Sequence, residues 1–148
     1  MKIRLDANDI DFNLEFLETD GFGSNDKWYF FNICIDIDDS FNMHKYFDVE
    51  DFELVNLVNE LQNLVDGKLD KAKQIKFQDD QLNIILYPKD TFNKSEMASI
   101  YLEEDNNMVI NLFYITKECF AGNYIPLFFE NKEVLKLIEF FKKILRKF

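Results

Sequence analysis

The sequence predicts an α+β fold: a mainly antiparallel β-sheet of about seven to eight strands with two amphipathic helices, in the order strands, helix, strands, helix. Three observations lead there. Hydrophobicity alternates with period two in several short segments, it switches to spacings of three and four in two longer ones, and most links between strand segments are too short for parallel crossovers. The chain has 148 residues, 47% of them hydrophobic, with 17 Phe against 4 Gly and 2 Pro, which excludes fibrous, linker-like and disordered classes and fits a single domain over residues 1–148.

Ile10, Phe12, Leu14 and Phe16 alternate with Asp11, Asn13 and Glu15, the period of a strand with one buried face. Residues 20–26 hold two of the four glycines and read as a loop. From Trp28 to Asp38 the alternation returns. Tyr29, Phe31, Ile33, Ile35 and Ile37 form one side, and the other turns polar along Asn32, Cys34, Asp36 and Asp38. A shorter strand is expected at Asn42 to Phe47. Leu54, Val55, Val58, Leu61, Leu64 and Val65 then mark a helix near residues 49–66, with Asp48 as its cap and Gly67 as its left-handed stop. Strands resume at Gln74–Gln78 and Gln81–Tyr87. Met97–Glu103 and Met108–Thr116 flank a hairpin turn at residues 104–107, and a last strand covers Tyr124–Phe129. Asn131 is expected to cap a closing helix with Val134, Leu135, Ile138, Phe141 and Leu145 on its apolar stripe and Lys142, Lys143, Arg146 and Lys147 at its negative end. The two halves share a plan, but no residue-level repeat is visible.

Charge bounds the function. The net charge is −11, and it is uneven: residues 132–148 carry +4, so residues 1–131 carry −15. A body this acidic repels polyphosphates and anionic leaflets, so neither nucleic acid nor membrane is an expected partner, and a basic protein is. The start of the chain has no apolar leader core and no segment is apolar enough to span a bilayer, so the expected location is cytoplasmic. Cys34 and Cys119 have no metal-binding or redox spacing.

Catalytic chemistry finds little support. His44 is the only histidine, which rules out a multi-imidazole zinc site, and no phosphate-cradling glycine motif occurs. Residues 36–42 imitate a calcium loop but place Phe41 where the sharp turn needs Gly. No catalytic residue, cofactor or metal ligand is therefore assigned, and the chain is not expected to be an enzyme. Two acidic clusters remain as candidate partner-binding residues: Asp36, Asp38 and Asp39 at the end of the second strand, and Glu103, Glu104 and Asp105 at the expected hairpin tip. Phe22, Phe92 and Phe120 break period and fall in expected loops, where aromatic rings either anchor an interface or cap a sheet end.

Lys27-Trp28-Tyr29-Phe30-Phe31 opening a strand, Asn59-Glu60-Leu61 in the helix, Ile75-Lys76-Phe77 after it, and Ile125-Pro126-Leu127-Phe128-Phe129 before a basic helix resemble the layout of the WapI-like proteins, cytoplasmic immunity partners of bacterial wall-associated polymorphic toxins. The resemblance runs from about Ile10 to Phe148 and carries over no site residues. It implies an immunity protein that neutralises a basic toxin domain by stoichiometric binding through its acidic surface. The alternatives are a small-molecule-binding protein or carboxylate-dependent enzyme, and a homo-oligomeric accessory protein.

Overall fold

A computed structural model describes the chain apart from residues 22–26, 39–40, 79–81, 90–104 and 117–118, and describes the backbone alone at 37–38, 41, 114–116 and 119–124. Among the described residues there are eight strands and two helices: β1 (Lys2–Ala7), β2 (Ile10–Asp20), β3 (Trp28–Asp38), β4 (Phe41–Glu50), α1 (Asp51–Val65), β5 (Lys73–Lys76), β6 (Leu82–Tyr87), β7 (Asn107–Thr116), β8 (Cys119–Glu130) and α2 (Asn131–Lys147). The strands divide into two four-stranded antiparallel sheets, β1-β2-β3-β4 and β5-β6-β7-β8. The α+β architecture is as the patterning predicts.

β1 has no counterpart in the sequence reading. Its Ile3, Leu5 and Ala7 alternate with Lys2, Arg4 and Asp6, and it joins β2 through Asn8 and Asp9, both at positive φ (51° and 71°), the geometry of a two-residue hairpin turn. The helix starts also shift: Glu50 and Glu130, in extended conformation, are the caps, in place of Asp48 and Asn131. Gly67, at φ 73°, does end α1, with its N–H on Leu64 O (3.2 Å) and the Lys68 N–H on Asn63 O (2.9 Å), a Schellman closure. The expected strand at Met97–Glu103 lies outside the described residues.

The two halves are related at the residue level. With an offset of 80, Glu50, Glu53, Leu54, Leu57, Val58, Leu61 and Leu64 match Glu130, Glu133, Val134, Leu137, Ile138, Phe141 and Ile144, and from position 53 onward both sets are buried. Leu57 and Leu137 therefore take the buried stripe, where Val55 and Leu135 were expected; those two are exposed. Each half also reaches into the other. Glu53 of α1 accepts the backbone N–H of Gln78 beyond β5 (2.9 Å), and Glu133 of α2 accepts that of Asp6 in β1 (3.0 Å). The helices touch each other, Lys142 Nζ donating to Gln62 Oε1 at 3.3 Å, and with the inner faces of both sheets they enclose one core. Ring contacts tie it together: Phe12 meets Phe129 edge-on at 5.1 Å, and Phe31 meets Phe141 at 5.7 Å.

Candidate functional site

With the helices on the inner face of the first sheet, its outer face is left to solvent. Antiparallel register sorts that face into rows across the strands. At the hairpin end stand Asp6, Asp11, Asp36 and Asn42; next come Arg4, Asn13, Cys34 and His44; then Lys2, Glu15, Asn32 and Tyr46; and at the helix end Glu18, Phe30 and Asp48. A register shift between Phe16 and Glu18 turns Leu17 outward beside Phe30 and Tyr46, and with Asp48 these line a shallow depression of about 240 Å³. The face therefore runs from three carboxylates, through amides, a thiol and an imidazole with Arg4, Lys2 and Glu15 among them, to an aromatic end flanked by Glu18 and Asp48, where Tyr46 is 67% exposed.

Four of its charges pair across neighbouring strands. Arg4 holds Asp11 at 2.6 Å, which raises the guanidinium pKa further, and Lys2 lies 4.0 Å from Glu15. At the centre Asn32 Oδ1 is buried with no hydrogen-bond partner among the described residues. Its counterpart in the second sheet is satisfied, Asn111 donating to Asn83 Oδ1 at 3.0 Å. Cys34 Sγ sits 3.8 Å from both His44 Nε2 and Asn42 Oδ1. Burial, and then the nearby Asp36 carboxylate, push the thiol pKa up, away from the thiolate that nucleophilic chemistry needs.

The corresponding side of the second sheet differs. Ile85, Val109 and Phe128 stand there with Tyr87, and both Val109 and Tyr87 are buried.

Two grooves follow from the duplicated plan, each between the first strand of one half and the helix of the other. One, of about 620 Å³, runs between β1 and α2; the other, of about 540 Å³, lies between α1 and the β5 segment. Each is lined by a single carboxylate, Glu139 and Glu53 respectively, so neither offers the paired acids that a carboxylate-dependent enzyme requires. A void of about 20 Å³ inside the core is lined by apolar side chains alone. Among the described residues no cluster of three His, Cys, Asp or Glu could hold a metal ion, and no helix is long and apolar enough to cross a membrane.

Of the expected docking residues, the structure describes the side chains of Asp36 and Asp105. Asp36 stands at the hairpin end of the first sheet. Asp105 is exposed in the bend before β7, at the helix-entry end of the second sheet, its Oδ1 accepting the Asn106 N–H at 2.8 Å. The Asp38 side chain, Asp39, Glu103 and Glu104 lie outside the described residues, as do Phe22, Phe92 and the Phe120 side chain. Phe30, Asn32 and Tyr46 were not singled out. The alternation of Trp28–Asp38 marks their side of the strand, but only the pairing with β4 sets Asn32 opposite Tyr46.

No family model matches the chain, and no curated protein matches it. Among solved structures it is similar to MRP1/MRP2 of Trypanosoma bruciei (10% identity, 98% of this chain and 82% of that one, TM-score 0.45). It is similar also to WHY1 of Arabidopsis thaliana (13%, 98% and 88%, TM-score 0.46) and to the plant transcriptional regulator PBF-2 (10%, 98% and 86%, TM-score 0.45). None of the three is described as an immunity protein, and one is described as a transcriptional regulator. The immunity reading rested on layout alone, and none of these comparisons supports it. Toxin neutralisation, the basic toxin partner and the exclusion of nucleic acid are corrected accordingly.

Proposed function

We propose that the chain is a non-catalytic protein that binds a single-stranded nucleic acid segment on the outer face of its first sheet. The supporting observation is the cross-strand pair Asn32 and Tyr46: a buried acceptor without a donor beside a ring that is 67% exposed. Directly opposed side chains on an antiparallel pair stand roughly 5 Å apart, so one planar ligand can cover the ring and, with the Asn32 side chain turned outward, donate to its amide oxygen. A nucleobase with an exocyclic amine meets both requirements, and a flat sheet bearing aromatic rings and amides suits unstacked bases. Phe30 and Leu17 extend the platform, and Asn13 and His44 supply further hydrogen-bonding groups.

The acidic balance sets the character of this binding. Lys2 and Arg4 are the cations on the described face, so affinity comes from stacking and base-edge contacts, with little from counterion release. The raised pKa of Cys34 supports a binding role over nucleophilic catalysis. A cytoplasmic setting belongs to the same proposal, supported by the free thiol of Cys34 on the open face, which an oxidising compartment would expose to disulfide exchange.

Fluorescence anisotropy with labelled single-stranded DNA and RNA of about 12 nucleotides, within the span of one such site, tests it. Saturable binding is expected, weakened roughly 5- to 150-fold by Tyr46→Ala, the range for loss of one stacked base, and unaffected by Leu135→Ala on α2. Absence of saturation with every base composition at about 100 μM, the weak end of non-specific affinities, would overturn the proposal.

A further inference from the structure

The β1 edge carries a second surface, which shares only Lys2 and Arg4 with the sheet face. β1 pairs with β2 and with no other strand among the described residues. The Phe16 N–H donates to Met1 O at 2.9 Å, so odd-numbered residues of β1 exchange hydrogen bonds with β2. Alternation then turns the N–H and C=O of Lys2 and Arg4 to the free edge. Asp6 follows the same parity, and there Glu133 occupies its N–H, closing the edge at one end. An open strand edge is a template for another strand, and proteins normally block it.

Alongside that edge lies the larger groove. Met1, Ile3, Leu135 and Phe140 give it an apolar lining, with Met1 41% and Leu135 46% exposed. Lys2, Lys136 and Lys143 stand on it with Glu139 as the one carboxylate, in a protein whose net charge is −11. Lys143 makes no ion pair among the described residues; Lys136 is held by Glu133 at 3.0 Å with more than half of its side chain still exposed. The related groove beside β5 offers Phe52, Asn56, Lys76 and Gln78, with a single lysine.

The geometry points to strand addition: the β1 edge and its groove take an extended acidic peptide from another protein. The main chain of that peptide pairs with Lys2 and Arg4, its alternate apolar side chains enter the groove, and its carboxylates meet Lys2, Lys136 and Lys143. Main-chain pairing supplies affinity in this mode, and the charges select the partner. The β5 groove, in the corresponding place of the other half and with fewer cations, serves as the internal control.

The probe is a capped peptide of about eight residues, the length of an ordinary strand, alternating Glu and Val. It is titrated into the ¹⁵N-labelled full chain and followed by amide shifts. Shifts are expected at Lys2, Arg4, Lys136 and Lys143, and not at Lys76 or Gln78. N-methylating the peptide at its two inward-facing amides weakens binding about tenfold or more through the lost main-chain bonds. The Lys136→Gln/Lys143→Gln variant, changed only at exposed side chains, weakens it about threefold to tenfold. Binding that ignores N-methylation, shifts centred on β5, a Lys/Val peptide that binds equally well, or a homodimer already covering β1 in sedimentation would each overturn the proposal. Tyr46→Ala leaves this peptide titration unchanged, so its failure is separable from failure of the sheet-face reading.

Discussion

Glu53 and Glu133 are buried carboxylates that hold the two halves together. Each sits three residues past a helix cap and accepts the backbone N–H of a segment from the opposite half, while Glu53 also accepts the N–H of its own cap residue, Glu50, at 3.0 Å. Removing such an acceptor strands a donor, so Glu133→Ala should lower stability by about 1–3 kcal/mol in urea unfolding, with Glu133→Gln less costly because one oxygen remains. The Asp6 N–H should also exchange faster in the alanine variant. Tyr29 makes a different prediction. Burial, and then the hydrogen bond of its hydroxyl to Asp51 at 2.9 Å, raise its pKa well above the usual 10. The folded state therefore keeps this proton after the unfolded chain has released it. The resulting stability is full below pH 10 and declines as pH rises from there toward the folded value. Tyr29→Phe, less stable at neutral pH by about 1 kcal/mol from the lost hydrogen bond, should show a flatter decline above pH 10. None of these contacts was legible in the sequence, because each joins residues whose proximity depends on the assembled fold; Glu133 and Asp6 are 127 positions apart.

Elements were legible where burial is one-sided. β2, β3 and both helices carry the periodicity of their type, and Gly67 marks a stop that the backbone needs at positive φ. β1 escaped because its alternation runs over only six residues with three apolar positions, one of them the small Ala7. The caps moved by one or two positions because Glu50 and Glu130 stay extended at the helix starts, Glu50 in a reciprocal capping box with Glu53, whereas the familiar cap types Asp48 and Asn131 stand on either side of the boundary in the two halves. The helix stripes were misread at Val55 and Leu135 for a reason that tests the duplication. At positions 54/55 and 134/135 two adjacent apolar residues compete for the stripe, and in both helices the first is buried and the second exposed, so the offset of 80 assigns the outward place to the same position. Phe141→Ala, which removes a buried ring packed on Phe31, should cost about 3–5 kcal/mol, and its equivalent Leu61→Ala about 2–5, whereas Leu135→Ala and Val55→Ala stay within about 0.5. Chemical denaturation of the four variants measures the contrast.

At the scale of the molecule, charge was legible as a total but not as a distribution. A net −11 excludes binding driven by phosphate neutralisation across the surface; it does not exclude a face where rings and amides make the contacts. The first sheet is such a face: Asp6, Asp11 and Asp36 stand at its hairpin end and Glu18 and Asp48 beside its aromatic end, while Arg4–Asp11 and Lys2–Glu15 pair across β1 and β2 near Asn13, Asn32 and His44. The cationic excess lies elsewhere, along α2 and the β1 groove. These two locations make opposite predictions for salt. A strand lying on the sheet neutralises at most Lys2 and Arg4, and about 0.7 counterions are released per phosphate contact on single strands. The slope of log K against log salt should therefore be no steeper than about −1.5. A strand tracking α2 would meet Lys132, Lys136, Lys143 and Lys147, and its slope would approach −3. Anisotropy titrations at several salt concentrations distinguish the two. A shallow slope combined with sensitivity to Tyr46→Ala places the ligand on the open sheet, while a steep slope indifferent to Tyr46 moves it to the helix and removes the role given to Asn32.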